Sequence, residues 1–248
     1  MVRRQGMNHS LIYCPQDFID GAEHIFIKKG QLVVKKGSYP NFVLVVVDGV
    51  ATTRYLSSHC KDVVASFFIQ GDFIGEINAV CKQKFLFDAV AQTDMELLKI
   101  PADVFINRMQ ADFRLVQSMV QSQNNRINYL ESFALANSVL PLYEKTLLFL
   151  CCFHAMEDYR RTFNKEFIAA YLGADIRSVN RVLKTMSEKG FIRTGNGKIA
   201  ILDYPMLIEE IIDRGVDCQY DLFCQNIVDG YPEELKKATP LSAKGVQT

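Results

Sequence analysis

The chain has 248 residues, 49% of them hydrophobic and 23% charged, with a formal net charge of zero. That length and apolar content suffice for one large or two smaller cores, and the neutral balance confines any nucleic-acid-binding charge to a local patch. No run of eighteen apolar residues is present, which excludes a membrane-spanning helix. The start, Met1-Val2-Arg3-Arg4 followed by the polar Gln5 to Ser10, lacks the long apolar segment of a secretory signal, so a cytoplasmic location is expected.

Residues 21 to 100 read as short strands. Leu32-Val33-Val34 is β-branched, and Gly37 to Asn41 is a turn cluster. Phe42 to Val47 is a valine-rich run ending at Asp48-Gly49, a dipeptide that predicts a tight hairpin into Val50 to Leu56. Val63 to Ile69 follows a polar turn at Ser57-Ser58-His59, and Ala89 to Ala91 and Leu97 to Ile100 complete the set. Many short strands at regular spacing predict a barrel or roll.

From Pro101 the periodicity becomes helical. Asp112 to Ala136 contains no Gly or Pro, and Val116, Val120, Ile127, Leu130 and Ala134 form a heptad-like stripe with Gln123 in the missing position. Such a stripe predicts a helix that packs along a partner helix, with a polar residue fixing register. Asn124, Asn125 and Asn128 give it a polar face. Pro141 opens a further helix through His154. Then come helical stretches Asn164 to Leu172 and Ile176 to Glu188, a strand Phe191 to Thr194, the turn Gly195-Asn196-Gly197 and a strand Ile199 to Leu202. Pro205 to Ile212 and Tyr220 to Val228 have helical patterns, and Thr239 to Thr248 is small and polar, which predicts disorder.

The helix pair around Gly173 carries the strongest functional signal. Ile168, Ala169 and Leu172 supply the inward face of the first helix, and Val179, Val182, Leu183 and Met186 that of the second. Asp175 can cap the second helix. Ile176, Arg177, Asn180, Arg181 and Lys184 are then expected to face outward. Arginine can donate two hydrogen bonds to guanine and asparagine can pair with adenine, the chemistry of a major-groove reader. The segment 160 to 200 holds Arg160, Arg161, Lys165, Arg177, Arg181, Lys184, Lys189, Arg193 and Lys198 against only Glu166, Asp175 and Glu188. This is the local basic patch that the neutral total conceals, suited to phosphate contacts.

The segment FNKEFIAAYLGADIRSVNRVLKTMSEKGFIRTGNGKIAI resembles the winged helix-turn-helix of the CRP/FNR family of transcription regulators. QGDFIGE, Gln70 to Glu76, resembles that family's β-roll motif, and the long helix between matches its dimerisation helix in place and length. The resemblance spans about residues 20 to 204. It implies an α+β fold: an N-terminal double-stranded β-helix (a jelly roll like that of cyclic-nucleotide-binding domains) over 1–110, a dimerisation helix over 111–137, a winged helix-turn-helix over 138–204, and an extension over 205–248.

It also implies roles for residues. Arg181 falls on the arginine that contacts guanine, Asn180 on a variable specificity position, and Arg177 where a glutamate commonly reads a base, so a different half-site is expected. Ser178, Lys184, Lys165 and Lys198 complete the expected DNA surface. Gly75 and Glu76 match the Gly-Glu that binds a ribose, but the Arg-Ser positions that hold a cyclic phosphate carry Leu86 and Phe87. Without that arginine the phosphate loses its bidentate partner. Lys84 lies nearby, yet Phe85, Leu86 and Phe87 make the region apolar. The expected effector is therefore unidentified and not a cyclic nucleotide, or there is none.

The seven cysteines include no CxxC pair and are read as buried free thiols. Cys14 alone at the N-terminal end does not support an iron-sulfur cluster, and Cys81 is the sole candidate for haem. No metal-ligand spacing or nucleophile-base pair points to an enzyme. The expected partners are double-stranded DNA, a second copy of the chain and RNA polymerase. The alternative is a small-molecule sensor whose helical domain binds a protein.

Overall fold

The computed structural model describes residues 21–56, 62–154, 164–195 and 198–216. Among these residues eight strands come first: β1 Glu23–Ile27, β2 Leu32–Val34, β3 Phe42–Asp48, β4 Ala51–Leu56, β5 Asp62–Phe68, β6 Phe73–Ile74, β7 Asp88–Ala91 and β8 Met95–Pro101, with helix α1 Glu76–Cys81 between β6 and β7. They form two antiparallel sheets of order β1-β8-β3-β6 and β2-β7-β4-β5, a jelly roll.

This topology corrects the hairpin expected at Asp48-Gly49. β3 pairs with β8 and β6 while β4 pairs with β5 and β7, so the chain switches sheets at this point. Gly49 has φ 95°, and a Cβ there would lie 2.6 Å from the Asp94 carbonyl oxygen. The turn residue is therefore required, but by a close approach to the neighbouring loop rather than by a two-residue hairpin.

The apolar run of β3 has no alternation because both faces are buried. Leu44 and Val46 point into the roll beside Phe68, Ile74 and Leu97. Val43 and Val45 face the other way, into a cluster with Leu98, Phe105, Leu115 and Met119. That second cluster is roofed by helix α2 Ala102–Ala111 and the start of α3 Phe113–Val139. The extended residue Asp112 separates these two helices and caps α3, accepting from the Arg114 backbone N–H at 3.1 Å.

After Pro141 the chain forms α4 Leu142–His154, α5 Lys165–Leu172, α6 Ile176–Glu188, the antiparallel strands β9 Ile192–Gly195 and β10 Lys198–Ile201, and α7 Tyr204–Asp213. The turn residues Asn196 and Gly197, the stretch Tyr220 to Val228 and the tail Thr239 to Thr248 lie outside the described residues. Leu207, Ile208 and Ile211 of α7 share one core with Leu147, Ile168, Val179 and Met186. An ion network clamps α7 further: Glu210 receives Lys189 and Arg214, each at 2.7 Å, and Arg214 also reaches Glu144 at 2.7 Å. Burial pulls the Glu210 carboxyl upward, but the hydrogen bonds from Lys189 and Arg214 outweigh it and hold the group below its ordinary range.

The C-terminal unit is docked on the roll. α5 lies against β5, and Phe67 of β5 meets Phe167 at 5.9 Å and Tyr171 at 5.4 Å between ring centroids. Tyr129 of α3 packs edge-on against Phe67, and its hydroxyl shares a hydrogen bond of 2.6 Å with that of Tyr171. Roll, long helix and C-terminal unit thus meet at one aromatic joint.

Candidate nucleic-acid interface and roll site

Local signals build the helix pair. Asn164 caps α5, accepting from the Phe167 N–H at 2.8 Å. Gly173 ends it in the left-handed conformation with φ 62°. Asp175 then caps α6 by accepting from the Arg177 N–H at 2.8 Å. Val179, Leu183 and Met186 are buried and Val182 packs against the same core. This leaves Arg177, Asn180, Arg181 and Lys184 exposed along the opposite side, with Ser178 half-buried.

One assignment on this helix is corrected. Ile176, expected to face outward, packs against the core, because the first turn of α6 sits beside α5 and its side chain reaches inward. Lys165 is half-buried, 4.0 Å from Glu166. Lys184 pairs loosely with Glu188 at 3.8 Å, and Lys198 is exposed on β10. Such exposed pairs cost little to break, so these cations stay available to a polyanion. Lys189, by contrast, is committed to Glu210.

The long helix carries two stripes. Leu115, Ser118, Met119, Ser122, Tyr129, Ser132 and Ala136 are buried against their own chain. Of the expected seam, Val120 is 58% and Ile127 53% exposed, Leu130 and Ala134 are exposed, and Val116 is half-buried. Phe113, seven residues before Val120, is 70% exposed, and Leu135 and Val139 are exposed as well. A row of uncovered apolar side chains at heptad spacing is what a partner helix would bury. The heptad step from Val120 back to Phe113 is available in the sequence. The serine stripe is not, because serine reads as polar until a close packing contact calls for small side chains.

Gln123, expected in that seam, turns its amide to the roll instead: its Nε2 donates to Glu76 Oε1, joining α3 to the roll. Glu76, the first residue of α1, is 3% exposed. Burial pushes its carboxyl up to about 7; Arg126 and the backbone N–H of Glu76 itself pull it down, and Asp72 adds a further small rise. The Arg126 guanidinium lies 4.3 Å from the centre of the Phe68 ring. Gly75 is left-handed at φ 92°, and a Cβ there would meet Phe85 Cζ at 3.0 Å.

The other two residues expected in this site are spread outward. Leu86 is 69% exposed, and Phe87 stands edge-on to Tyr55 at 6.3 Å. Lys84 lies over the Tyr39 ring at 5.0 Å. Phe85, between them, is the buried one. Cys81 is exposed on α1, which corrects the expectation of a buried thiol there; Cys151 is buried as expected. Cys14, Cys60, Cys218 and Cys224 lie outside the described residues. No group of three or more His, Cys, Asp or Glu side chains suited to a metal ion occurs among the described residues.

A jelly roll joined by a long helix to a winged helix-turn-helix defines the class: a β-roll coupled to a DNA-binding unit. The cyclic nucleotide-binding domain family matches residues 24–112 and the Crp-like helix-turn-helix domain family matches residues 145–210. The chain belongs to the CRP/FNR family of transcription regulators. It is 23% identical to the anaerobic regulatory protein of Pasteurella multocida over 191 residues, covering 74% of this chain and 70% of that one. The fold is similar to that of a CRP-family transcriptional regulator from Thermus thermophilus, with a TM-score of 0.65 and 14% identity over 75% of this chain and 96% of the other. FixK2 of Bradyrhizobium japonicum is similar too, with a TM-score of 0.63 and 17% identity over 76% and 96%. The family implies DNA binding and dimers.

Proposed function

We propose that α6 is the recognition helix and enters the major groove once per protomer of a homodimer. The observation that carries this is the exposed row Arg177, Asn180, Arg181 and Lys184 on a helix capped at its start and buried along its other face. Arg181 donates to guanine, Asn180 reads adenine, and Arg177 selects a half-site that an acidic residue would reject. Ser178, Lys184, Lys165 and Lys198 bind phosphates.

The dimer forms along Val116, Val120, Ile127, Leu130 and Ala134, and the two recognition helices address half-sites about 34 Å apart. In this reading residues 1–110 sense, 111–137 join the protomers and 138–204 bind DNA, with α7 bracing that unit. The protein acts in the cytoplasm, contacts RNA polymerase from the operator, and catalyses no reaction of its own. The roll takes no cyclic nucleotide, since the positions for a phosphate-binding Arg-Ser pair hold Leu86 and Phe87.

The test is fluorescence anisotropy on genomic fragments recovered by binding to the protein, over a series of salt concentrations. Affinity should fall steeply as salt rises, as release of counterions from the phosphates demands. Arg181→Ala should weaken the selected fragments more than unrelated DNA. Equal affinity of the variant for every fragment would remove Arg181 from the reading role.

A further inference from the structure

We propose that Gln123 is the resident occupant of the roll's carboxylate site: the helix amide satisfies Glu76 where a sugar hydroxyl would bind, joining roll and long helix without a diffusible sugar ligand. This rests on the reading that the long helix joins the protomers and that the roll takes no cyclic nucleotide, and it adds what fills the site.

Three independent features support it. Glu76 is buried at the start of α1, and its carboxylate oxygen accepts from Gln123 Nε2, a group on another element. A buried carboxyl needs a hydrogen-bond partner, and this one is supplied from within the chain. Next, the Phe85 ring lies so close to Gly75 that even a Cβ there would stand at 3.0 Å from it. The backbone that would flank a bound sugar is therefore already covered by an aromatic edge. Last, the positions of the phosphate-binding pair hold no cation: Leu86 and Phe87 are apolar and exposed, and the nearby Lys84 ammonium lies over Tyr39.

The charged groups that act on Glu76 are Arg126 from α3 and Asp72 from the turn before β6. Arg126 lies over the Phe68 ring, so the neutral amide of Gln123, rather than the guanidinium, makes the direct hydrogen bond. The contact fixes the rotation of α3 against the roll at its middle, between Val120 and Ile127 of the exposed seam. Gln123 is thus a positioning residue that acts on the seam through Glu76.

Three measurements on the full-length dimer test this. Cyclic AMP, titrated calorimetrically into the wild type, should give no binding heat up to millimolar concentration; micromolar binding overturns the proposal. Gln123→Met and Glu76→Met, compared by unfolding at one protein concentration and in mild acid, where the folded state holds Glu76 protonated, should each lower the midpoint, and the double variant should recover part of the loss. Strictly additive losses overturn it. In a carbon-13 titration of labelled glutamate, Gln123→Met should raise the Glu76 midpoint, because a donor to the charged form is lost. An unchanged midpoint overturns the contact even if the variant is as stable as the wild type. Gel shifts on the same variants separate the two readings: lost coupling with DNA binding retained sinks this proposal and leaves the regulator intact.

Discussion

Glu76→Gln should make the protein more stable at alkaline pH and leave it unchanged in acid. The carboxyl is buried and neutral-favouring, with its folded value pushed from an ordinary 4.5 to about 7, chiefly by burial. Each tenfold change in proton affinity is worth about 1.4 kcal/mol, so this rise corresponds to about 3 kcal/mol per protomer. The sign follows from linkage. Between pH 4.5 and 7 the folded state binds more protons at Glu76 than the unfolded state, so stability falls as pH rises through that window. Above pH 7 both states are ionised and the loss is complete; below 4.5 both are protonated and it vanishes.

Glutamine keeps the oxygen that accepts from Gln123 but cannot ionise. The assay is denaturant unfolding from pH 4 to about 8.5, followed by far-ultraviolet circular dichroism because the chain has no tryptophan. Protein concentration is held fixed, since dimer stability depends on it. The two stability profiles should converge in acid and separate by about 3 kcal/mol above pH 7. Parallel profiles, or a wild type that gains on the variant as pH rises, would refute the argument that burial dominates at this site.

Other outcomes follow from the same physics. Arg181→Ala should lose about 1–3 kcal/mol of discrimination at one base pair per half-site, while Lys198→Ala should weaken all DNA about equally and flatten the salt dependence, both read by anisotropy. Ile127→Asp, which places a carboxylate in the exposed apolar row of α3, should raise the dimer dissociation constant at least about a hundredfold in sedimentation, since an interface rarely compensates an unpaired buried charge. A dimer of unchanged affinity would mean that the partner helix packs elsewhere. Tyr171→Phe removes a hydrogen-bond partner at 2.6 Å from the buried Tyr129 hydroxyl. It should cost about 1–3 kcal/mol in unfolding experiments, and adding Tyr129→Phe should cost little more.

Local chemistry makes much of this protein readable from its residues. Asn164, Gly173 and Asp175 start and stop the helix pair through backbone hydrogen bonds within a few residues, and Pro141 ends the long helix. The buried and exposed sides of α6 follow from the 3.6-residue period, which is why Arg177, Asn180 and Arg181 stand in solvent as their spacing predicts. Ile176 does not, because a residue in the first turn takes its surroundings from the preceding helix.

Strand pairing lies beyond that range. The dipeptide Asp48-Gly49 signals a turn whichever partners the flanking strands later find, and only the closure of two sheets sends β3 to β8 and β4 to β7. β1 is not singled out by a reading of the residues, since Glu23–Ile27 is a half-exposed strand without strict alternation, paired among the described residues with β8. The periodicity of α3 reveals one apolar stripe and leaves the serine stripe unread, because the need for small side chains comes from the roll packed against them. Gln123 and Glu76 stand 47 positions apart, and no spacing rule links a polar seam residue to a buried carboxyl on another element. What the residues determined alone was whatever a few neighbouring backbone groups could enforce. What required the tertiary structure was every feature whose energy comes from desolvating one segment against another distant in the chain.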